Sequence, residues 1–461
     1  MERLTISEIT GAAGGTLLCG SGDTVITHFS IDSRDVPEGE STLFVPIIGE
    51  KVDAHKFLPD VFEKGAAAAF TSHGDVIDES RPHILVDDTV KALGRVAAWY
   101  RKRFDIPVVG VTGSVGKTST KEMIAAALSA KYNVLKTAGN QNSEIGVPLT
   151  LFNIEKQHEI AVVEMGISDF GEMDQLVEFA HPETAAVTNI GVAHIANLKT
   201  QENIMNEKLR IALEFGDKGS LYLNGNDPML RAAAGRYGAN CRLYGTDEAF
   251  PYSGTDSRIE GGRQYFTYKN AAGEKYEVCI NQIGEHNMLN AVAALAIAER
   301  YGVETQSAIE SIASYGGIAM RQQIKQLGQG IKVIDDTYNA SPDSIKSGVN
   351  VLEQMEAAGR RIAVLGDVLE LGEMSDKLHY DTGVYIAGKK IDEVVGIGEG
   401  MSHLIRAIED SKADMVTHHF PDNASAGEYI KEAVGPGDVV LVKGSRGMHE
   451  EEIVKLLEDT K

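Results

Sequence analysis

The stretch that decides the fold is Gly110-Val111-Thr112-Gly113-Ser114-Val115-Gly116-Lys117-Thr118. An apolar run at residues 106–111 precedes it, and residues 117–130 after it have the character of a helix. A strand that empties into a glycine-rich turn and then a helix wraps backbone N–H groups around phosphate oxygens. On this reading Thr112, Gly113, Ser114, Val115, Gly116, Lys117, Thr118 and Ser119 form an ATP-binding loop. Lys117 supplies a cation for the β- and γ-phosphates, and the Thr118 hydroxyl can reach Mg²⁺. The spacing departs from the common P-loop, because Gly110 fills the earlier glycine position only approximately.

Outward from the loop, apolar strands alternate with helices. Strands are expected at 160–164 and 185–189 and an alanine-rich helix at 287–301, which together imply a mostly parallel sheet. Residues 249–281 are polar, aromatic and β-prone, and read as a small antiparallel insertion. A second alternating series begins near Gly330. Its strands are expected at 331–335, 361–365, 393–397 and 438–442, with helices at 375–388 and 423–433 between them. The first 105 residues mix short strand-like pieces with turn signals at Asp32-Ser33-Arg34 and Pro37-Glu38-Gly39. The alanine run 66–69 reads as helix packing, and a helix at 89–104 leads to Asp105-Ile106-Pro107. The fold class expected is α/β in three domains. These are a small N-terminal α/β domain at 1–105, a central P-loop ATPase-like parallel sheet at 106–314, and a C-terminal Rossmann-like domain at 315–461.

Three domains agree with a length of 461 residues at about 100–200 residues per domain. Lys and Arg total 44 against 67 Asp and Glu, a net charge of −23. That balance argues against a general nucleic-acid binder, which needs a cationic surface. Cys19, Cys241 and Cys279 are far apart, so neither a disulfide framework nor a zinc site is suggested. The first residues lack a basic segment followed by a long apolar core, so no signal peptide is expected. With no apolar run near the ~20 residues that span a bilayer, no direct membrane insertion is expected. The chain is expected in the cytoplasm.

Two further residues belong to the chemistry of the loop. Glu164 ends a buried strand, where a carboxylate ligand for a nucleotide-bound metal would sit. His194 lies past the C-terminal end of the strand at 185–189. Taken singly, Glu164 is a strand-end acid and His194 a loop histidine. Together with the loop they point to the crevice at the carboxyl ends of the strands.

These segments resemble the ATP-dependent Mur ligases, which build the peptide of bacterial cell-wall precursors. The resemblance covers nearly the whole chain. It is carried by TGSVGKTS, VVEMG, TNIGVAHI, EHNMLNA and DDTYNASPDS. Segments 335–343, 365–372 and 442–447 favour the branch that joins D-alanyl-D-alanine to a UDP-N-acetylmuramoyl-tripeptide. The Asp-Asn-Pro-Arg motif of the branch that adds diaminopimelate or lysine is absent.

The resemblance implies roles residue by residue. Lys208 matches a lysine that CO₂ converts to a carbamate, giving an acidic oxygen for a second Mg²⁺; Thr118, Glu164 and His194 complete the metal set. Many relatives carry Glu where Arg210 stands. Asn287 and Asn290, after His286, would serve the nucleotide from one helix face. Arg321 would reach the γ-phosphate from the C-terminal domain, and Asp336 would lie near the nucleotide. Lys117, Lys208, His194 and Arg321 would then carry catalysis. Tyr338, Asn339 and Ser341 would face the dipeptide, and Ser33, Arg34 and Gly49 the uridine nucleotide. Cofactors would be ATP and Mg²⁺ with a carbamylated Lys208, and the enzyme would be a monomer. The third residue of the tripeptide stays open between diaminopimelate and lysine.

A ligase of this type converts a carboxylate to an acyl phosphate, which an amine then attacks. Other readings remain at this stage. One is a Mur ligase adding a single amino acid, and another is a folylpolyglutamate-type ligase. A P-loop switch or transport ATPase would lack both the second Rossmann-like domain and the Lys208 site.

Overall fold

The computed structural model describes residues 1–37, 41–74 and 76–460. Of the turn signal at 37–39, Glu38 and Gly39 lie outside the described residues. Three larger sheets stand in chain order. The N-terminal sheet runs Thr16–Cys19, His83–Leu85, Ala68–Thr71, Thr42–Phe44, His28–Ser30 across its width. The alanine run expected to pack a helix therefore enters a strand. Ala68 and Ala69 are fully buried there, and their small side chains fit in a strand covered on both faces.

The central sheet begins at Val134–Lys136 and passes through Ile160–Glu164, Val108–Thr112, Thr184–Val187, Ser220–Asn224, Cys241–Gly245 and Tyr252–Glu260, all parallel. Arg263–Lys269 and Lys275–Ile280 then close it with antiparallel pairing. The segment expected as a small antiparallel insertion is antiparallel in these pairings and continues the edge of the central sheet. Tyr268, Phe266 and Val278 bury one face of this edge against the helix Glu285–Arg300. The inner strands are buried along their whole length, which is why they read as unbroken apolar runs rather than alternating ones.

The third sheet has the order Gln323–Gln326, Lys332–Asp335, Val439–Lys443, Arg361–Gly366, Glu393–Ile397, Val416–Phe420, parallel except for its first strand. Helices Ser375–Ala387 and Asn423–Ala433 fall where expected. The two edge strands, Gln323–Gln326 and Val416–Phe420, were not foreseen. Both are partly exposed and polar, so neither carries an apolar run.

The N-terminal and central parts share one core. Helix Thr89–Arg101 packs on Gly146–Phe152 and Glu172–Ala180. Tyr100 donates its hydroxyl to Ile154 O at 2.6 Å. The Arg101 guanidinium donates to Phe104 O and Ile106 O at 2.7 and 2.6 Å. Buried, it fastens the connection between the two parts as it satisfies carbonyls that water cannot reach. Helix Thr89–Arg101 stops short of the expected residue 104. No helix among the described residues is long and apolar enough to cross a membrane.

Candidate active site

The loop Gly113–Gly116 is held in shape by the segment after strand Thr184–Val187. Ser114 N donates to Asn189 O at 3.0 Å and Val115 N to Asn189 Oδ1 at 2.9 Å. Thr188 Oγ1 donates to Val115 O at 2.6 Å. Gly191 N donates to Ser114 Oγ at 2.8 Å. Gly113 has φ +148°, and a Cβ there would lie 1.9 Å from Thr188 Oγ1. Gly116, at φ +86°, caps helix Lys117–Ser129. The first intrahelical bond is Thr120 N to Gly116 O, so the amides of Lys117, Thr118 and Ser119 precede it and point past the helix end. That end carries partial positive charge and suits an anion.

Lys117 lies back over the loop, its Nζ donating to Gly113 O at 2.9 Å. Burial lowers its pKa, opposed by Glu164 and reinforced by Arg321. Thr118 Oγ1 donates to Glu164 Oε1 at 3.3 Å, and Asn142 Nδ2 donates to the same oxygen at 2.7 Å. Glu164 Oε2 is buried with no hydrogen bond among the described residues; Lys121 Nζ stands 4.0 Å from it. Burial, then Lys117 and Lys208, push the His194 imidazole down to about 4, so it is neutral near pH 7. Lys208 is 1% exposed, in the last turn of helix Gln201–Leu209. The helix continues past Leu209 only as the short 3₁₀ turn Arg210–Ala212. Burial, seconded by Lys117, takes the Lys208 pKa well below its usual value, against the pull of Glu172 and Glu207. Glu207 itself accepts Gly171 N at 2.8 Å and holds the start of helix Glu172–Ala180. Arg210 is a surface residue paired with Asp174.

A cleft of about 440 Å³ runs from this loop to the third sheet. Ser114–Ser119, Glu164 and His194 line one wall; Asn287 and Arg321 line the hinge side; Asp336, Tyr338, Asn339 and Ser341 line the far wall. Other predicted residues lie outside the lining. Thr112 and Gly113 sit beneath the loop. Lys208 is buried behind it, linked to Lys117 and His194 by charge. Asn290 accepts from Thr120 Oγ1 at 2.9 Å and braces the loop helix. Asn287 does not cap its helix, which starts two residues earlier at Glu285.

Arg321 is set by its neighbours. Met320 and Gln322 on either side have φ +61° and +51°. Gln322 Oε1 accepts from His286 Nε2 at 2.9 Å and from Asn287 Nδ2 at 3.0 Å. Tyr338 N donates to Met320 O at 3.0 Å. The Arg321 guanidinium lies 4.1 Å from the Tyr338 ring centroid, a cation–π contact. Asp336 is already paired, its Oδ2 accepting from Lys443 Nζ at 2.8 Å. Ser341 caps helix Pro342–Gln354 in a capping box with Ser344. Gln322 and Lys443 were missed from the sequence as site residues; Lys443 stood in a quoted segment, but its partner is 107 residues away.

Ser33, Arg34 and Gly49 are not brought to the cleft. Arg34 binds Asp32 at 2.6–2.9 Å across its own turn and holds the Asp32 carboxyl down at about 2. Ser33 O accepts from Lys64 Nζ at 2.7 Å, and Gly49 N donates to Val52 O at 2.9 Å. Nearby, Asp53, His55 and His73 cluster within ligand distance. Ser72 N donates to His55 Nε2 at 3.1 Å, so the ring proton sits on Nδ1 and faces Asp53 Oδ1 at 2.6 Å. The His73 Nε2 stands 3.3 Å from the other oxygen, Asp53 Oδ2, so one carboxylate faces both rings.

Residues 111–298 match the Mur ligase middle domain, and residues 320–446 match the Mur ligase, glutamate ligase domain. The chain is 36% identical over 459 residues to the UDP-N-acetylmuramoyl-tripeptide–D-alanyl-D-alanine ligase of Bacillus subtilis, covering 99% of this chain and 98% of that one. A crystal structure of MurF from Acinetobacter baumannii superposes with a TM-score of 0.90 at 29% identity, over 100% of this chain and 99% of that one. The MurF ligase of Thermotoga maritima in complex with ADP gives 0.82 at 30% identity, over 94% of this chain and 97% of that one.

Proposed function

Because the chain belongs to the Mur ligase family, we infer that it joins D-alanyl-D-alanine to a UDP-N-acetylmuramoyl-tripeptide using ATP, in peptidoglycan precursor synthesis. The observation that carries this reading is the shared cleft: the phosphate loop with Lys117 faces Tyr338, Asn339 and Ser341 across one cavity. An acyl phosphate formed at the loop is then within reach of an amine held by the third domain. The division we propose is 1–105 for the uridine nucleotide, with Ser33, Arg34 and Gly49, then 106–314 for ATP and 315–461 for the dipeptide. Free Cys19, Cys241 and Cys279 support a reducing, cytoplasmic setting. A cleft completed by a single chain supports a monomer.

The donor set fits Mg²⁺. Glu164 Oε2 is buried with no hydrogen bond among the described residues, the Thr118 hydroxyl adjoins the other oxygen of the same carboxylate, and neutral His194 keeps a lone pair. When bound, the ion neutralises charge on the phosphate oxygens. The chain's own part is positioning and electrostatics. The loop amides and Lys117 hold the phosphates, and Arg321 brings a second cation from the other side of the cleft. Excluding water protects the acyl phosphate from hydrolysis. Lys208 is the carbamylation site in this reading. Addition of CO₂ needs a neutral amine, and burial beside Lys117 favours that form; the carbamate anion would in turn be stabilised by Lys117. Phosphate release from ATP, dependent on both the UDP-tripeptide and D-alanyl-D-alanine, tests the whole assignment.

A further inference from the structure

Three carboxylates line the cleft among the described residues: Glu164, Asp336 and Glu370. Glu164 is engaged by Thr118 and Asn142, and Asp336 by Lys443. Glu370 is different. Its side chain is 74% exposed, and across the cleft its Oε2 stands 3.7 Å from His194 Nδ1, beyond hydrogen-bond range.

Its backbone is fixed all the same. Glu370 has φ +68°, a left-handed conformation seldom adopted by residues other than glycine, asparagine and aspartate. Leu369 N donates to Ser445 Oγ at 2.9 Å and Val368 N to His379 Nε2 at 3.1 Å. A Cβ on Gly372 would lie 3.2 Å from the Ala196 side chain, so this loop abuts the helix that follows His194. The strained residue is therefore held with its carboxylate over the part of the cleft where the phosphate loop and His194 meet. Strain of this kind gathers where a side chain must be presented to a ligand.

The charge of the cleft shows what ligand that is. Lys117, Arg321, Lys443 and Arg446 all line it; Lys443 is paired with Asp336 and Arg446 with Glu451, so Lys117 and Arg321 set its charge. They suit phosphates and repel an ammonium. Yet the second substrate of a ligation enters as an amine that is protonated in water near pH 7. Its nitrogen has to come to rest beside the activated carboxyl, at the phosphate-loop end. Of the cleft carboxylates among the described residues, only Glu370 offers an exposed negative charge at that end; Glu164 is buried beneath the loop.

We propose that Glu370 binds the ammonium of the incoming dipeptide and so sets its nitrogen against the activated carboxyl; the proposal rests on the ligation reading above. Glu370 is thus a determinant of amine binding and not of ATP binding. The test is steady-state phosphate release by the full chain, with each of the three substrates varied in turn, for the wild type, Glu370→Gln and Glu370→Asp. Losing a charge-assisted contact should raise KM for D-alanyl-D-alanine about tenfold or more in Glu370→Gln. Glu370→Asp should recover part of the loss, and KM for ATP and UDP-tripeptide should stay within about twofold. N-propionyl-D-alanine, which has the amide and carboxylate but no ammonium, should inhibit the wild type and Glu370→Gln equally. A KM for the dipeptide that stays within about twofold in Glu370→Gln overturns the proposal. So does equal weakening of the propionyl analogue, which marks a structural role, or a shift confined to ATP and Mg²⁺, which marks a metal ligand. A wild type that releases no phosphate with D-alanyl-D-alanine overturns the ligation reading itself, and with it the ligand assigned to Glu370.

Discussion

The Thr188 hydroxyl occupies the space where a side chain on Gly113 would begin: a Cβ there would lie 1.9 Å from Thr188 Oγ1. The same hydroxyl donates to Val115 O at 2.6 Å, so it cannot move without freeing the loop. Gly113→Ala should therefore leave the sheet folded and weaken ATP binding about tenfold or more, because loop and hydroxyl cannot both keep their places. Calorimetric titration with ATP checks this; wild-type affinity in Gly113→Ala contradicts it.

Lys117→Ala should fold normally and lose turnover by about a hundredfold or more, the scale of removing one electrostatic donor from a transition state. Lys117 opens a helix and packs on loop carbonyls, outside the apolar core. Near-normal ligation by a folded Lys117→Ala would remove it from the phosphate site.

Lys208→Ala should lose activity, and formate or acetate should restore part of it by supplying the missing carboxylate oxygen. Burial lowers the Lys208 pKa, which favours the neutral amine that CO₂ needs. Rescue is read as phosphate release against acid concentration, with Lys117→Ala as the control that acid should not rescue. Full activity of Lys208→Ala with no added acid excludes the role.

The phosphate loop was legible because its glycines, lysine and threonine are contiguous and flanked by a strand and a helix. Glu164 and His194 were legible from strand ends, and the structure does bring both to the loop. Gln322 was not. Its importance comes from a positive φ and from two donors on a helix more than thirty residues earlier, and neither leaves a periodic signal. Strand Val416–Phe420 escaped because an edge strand carrying His418 and His419 buries too little to read as apolar. The alanines at 66–69 misled for the opposite reason. Small residues suit a helix by propensity, but burial in a covered sheet overrode it. Ser33 and Arg34 read from their residues alone as a turn, and the structure forms that turn.

Glu450 carries a prediction on stability. Its carboxyl is fully buried, both oxygens lack a hydrogen bond among the described residues, and burial pushes it up to about 8. A folded pKa above the unfolded value means that the folded state binds the proton more tightly. Stability from this group therefore falls as pH rises from about 4.5 to about 8. Glu450→Gln should flatten that slope, by on the order of 3 kcal/mol between pH 5 and pH 8. Urea unfolding at both pH values measures it, and an unchanged slope contradicts it.

The most direct test of the central claim is phosphate release by the purified protein with ATP, Mg²⁺ and UDP-N-acetylmuramoyl-tripeptide, comparing D-alanyl-D-alanine with meso-diaminopimelate, L-lysine and L-glutamate. The account predicts release that depends on the tripeptide and on D-alanyl-D-alanine, with single amino acids near background. Release driven by a single amino acid, with the dipeptide inert, would contradict it.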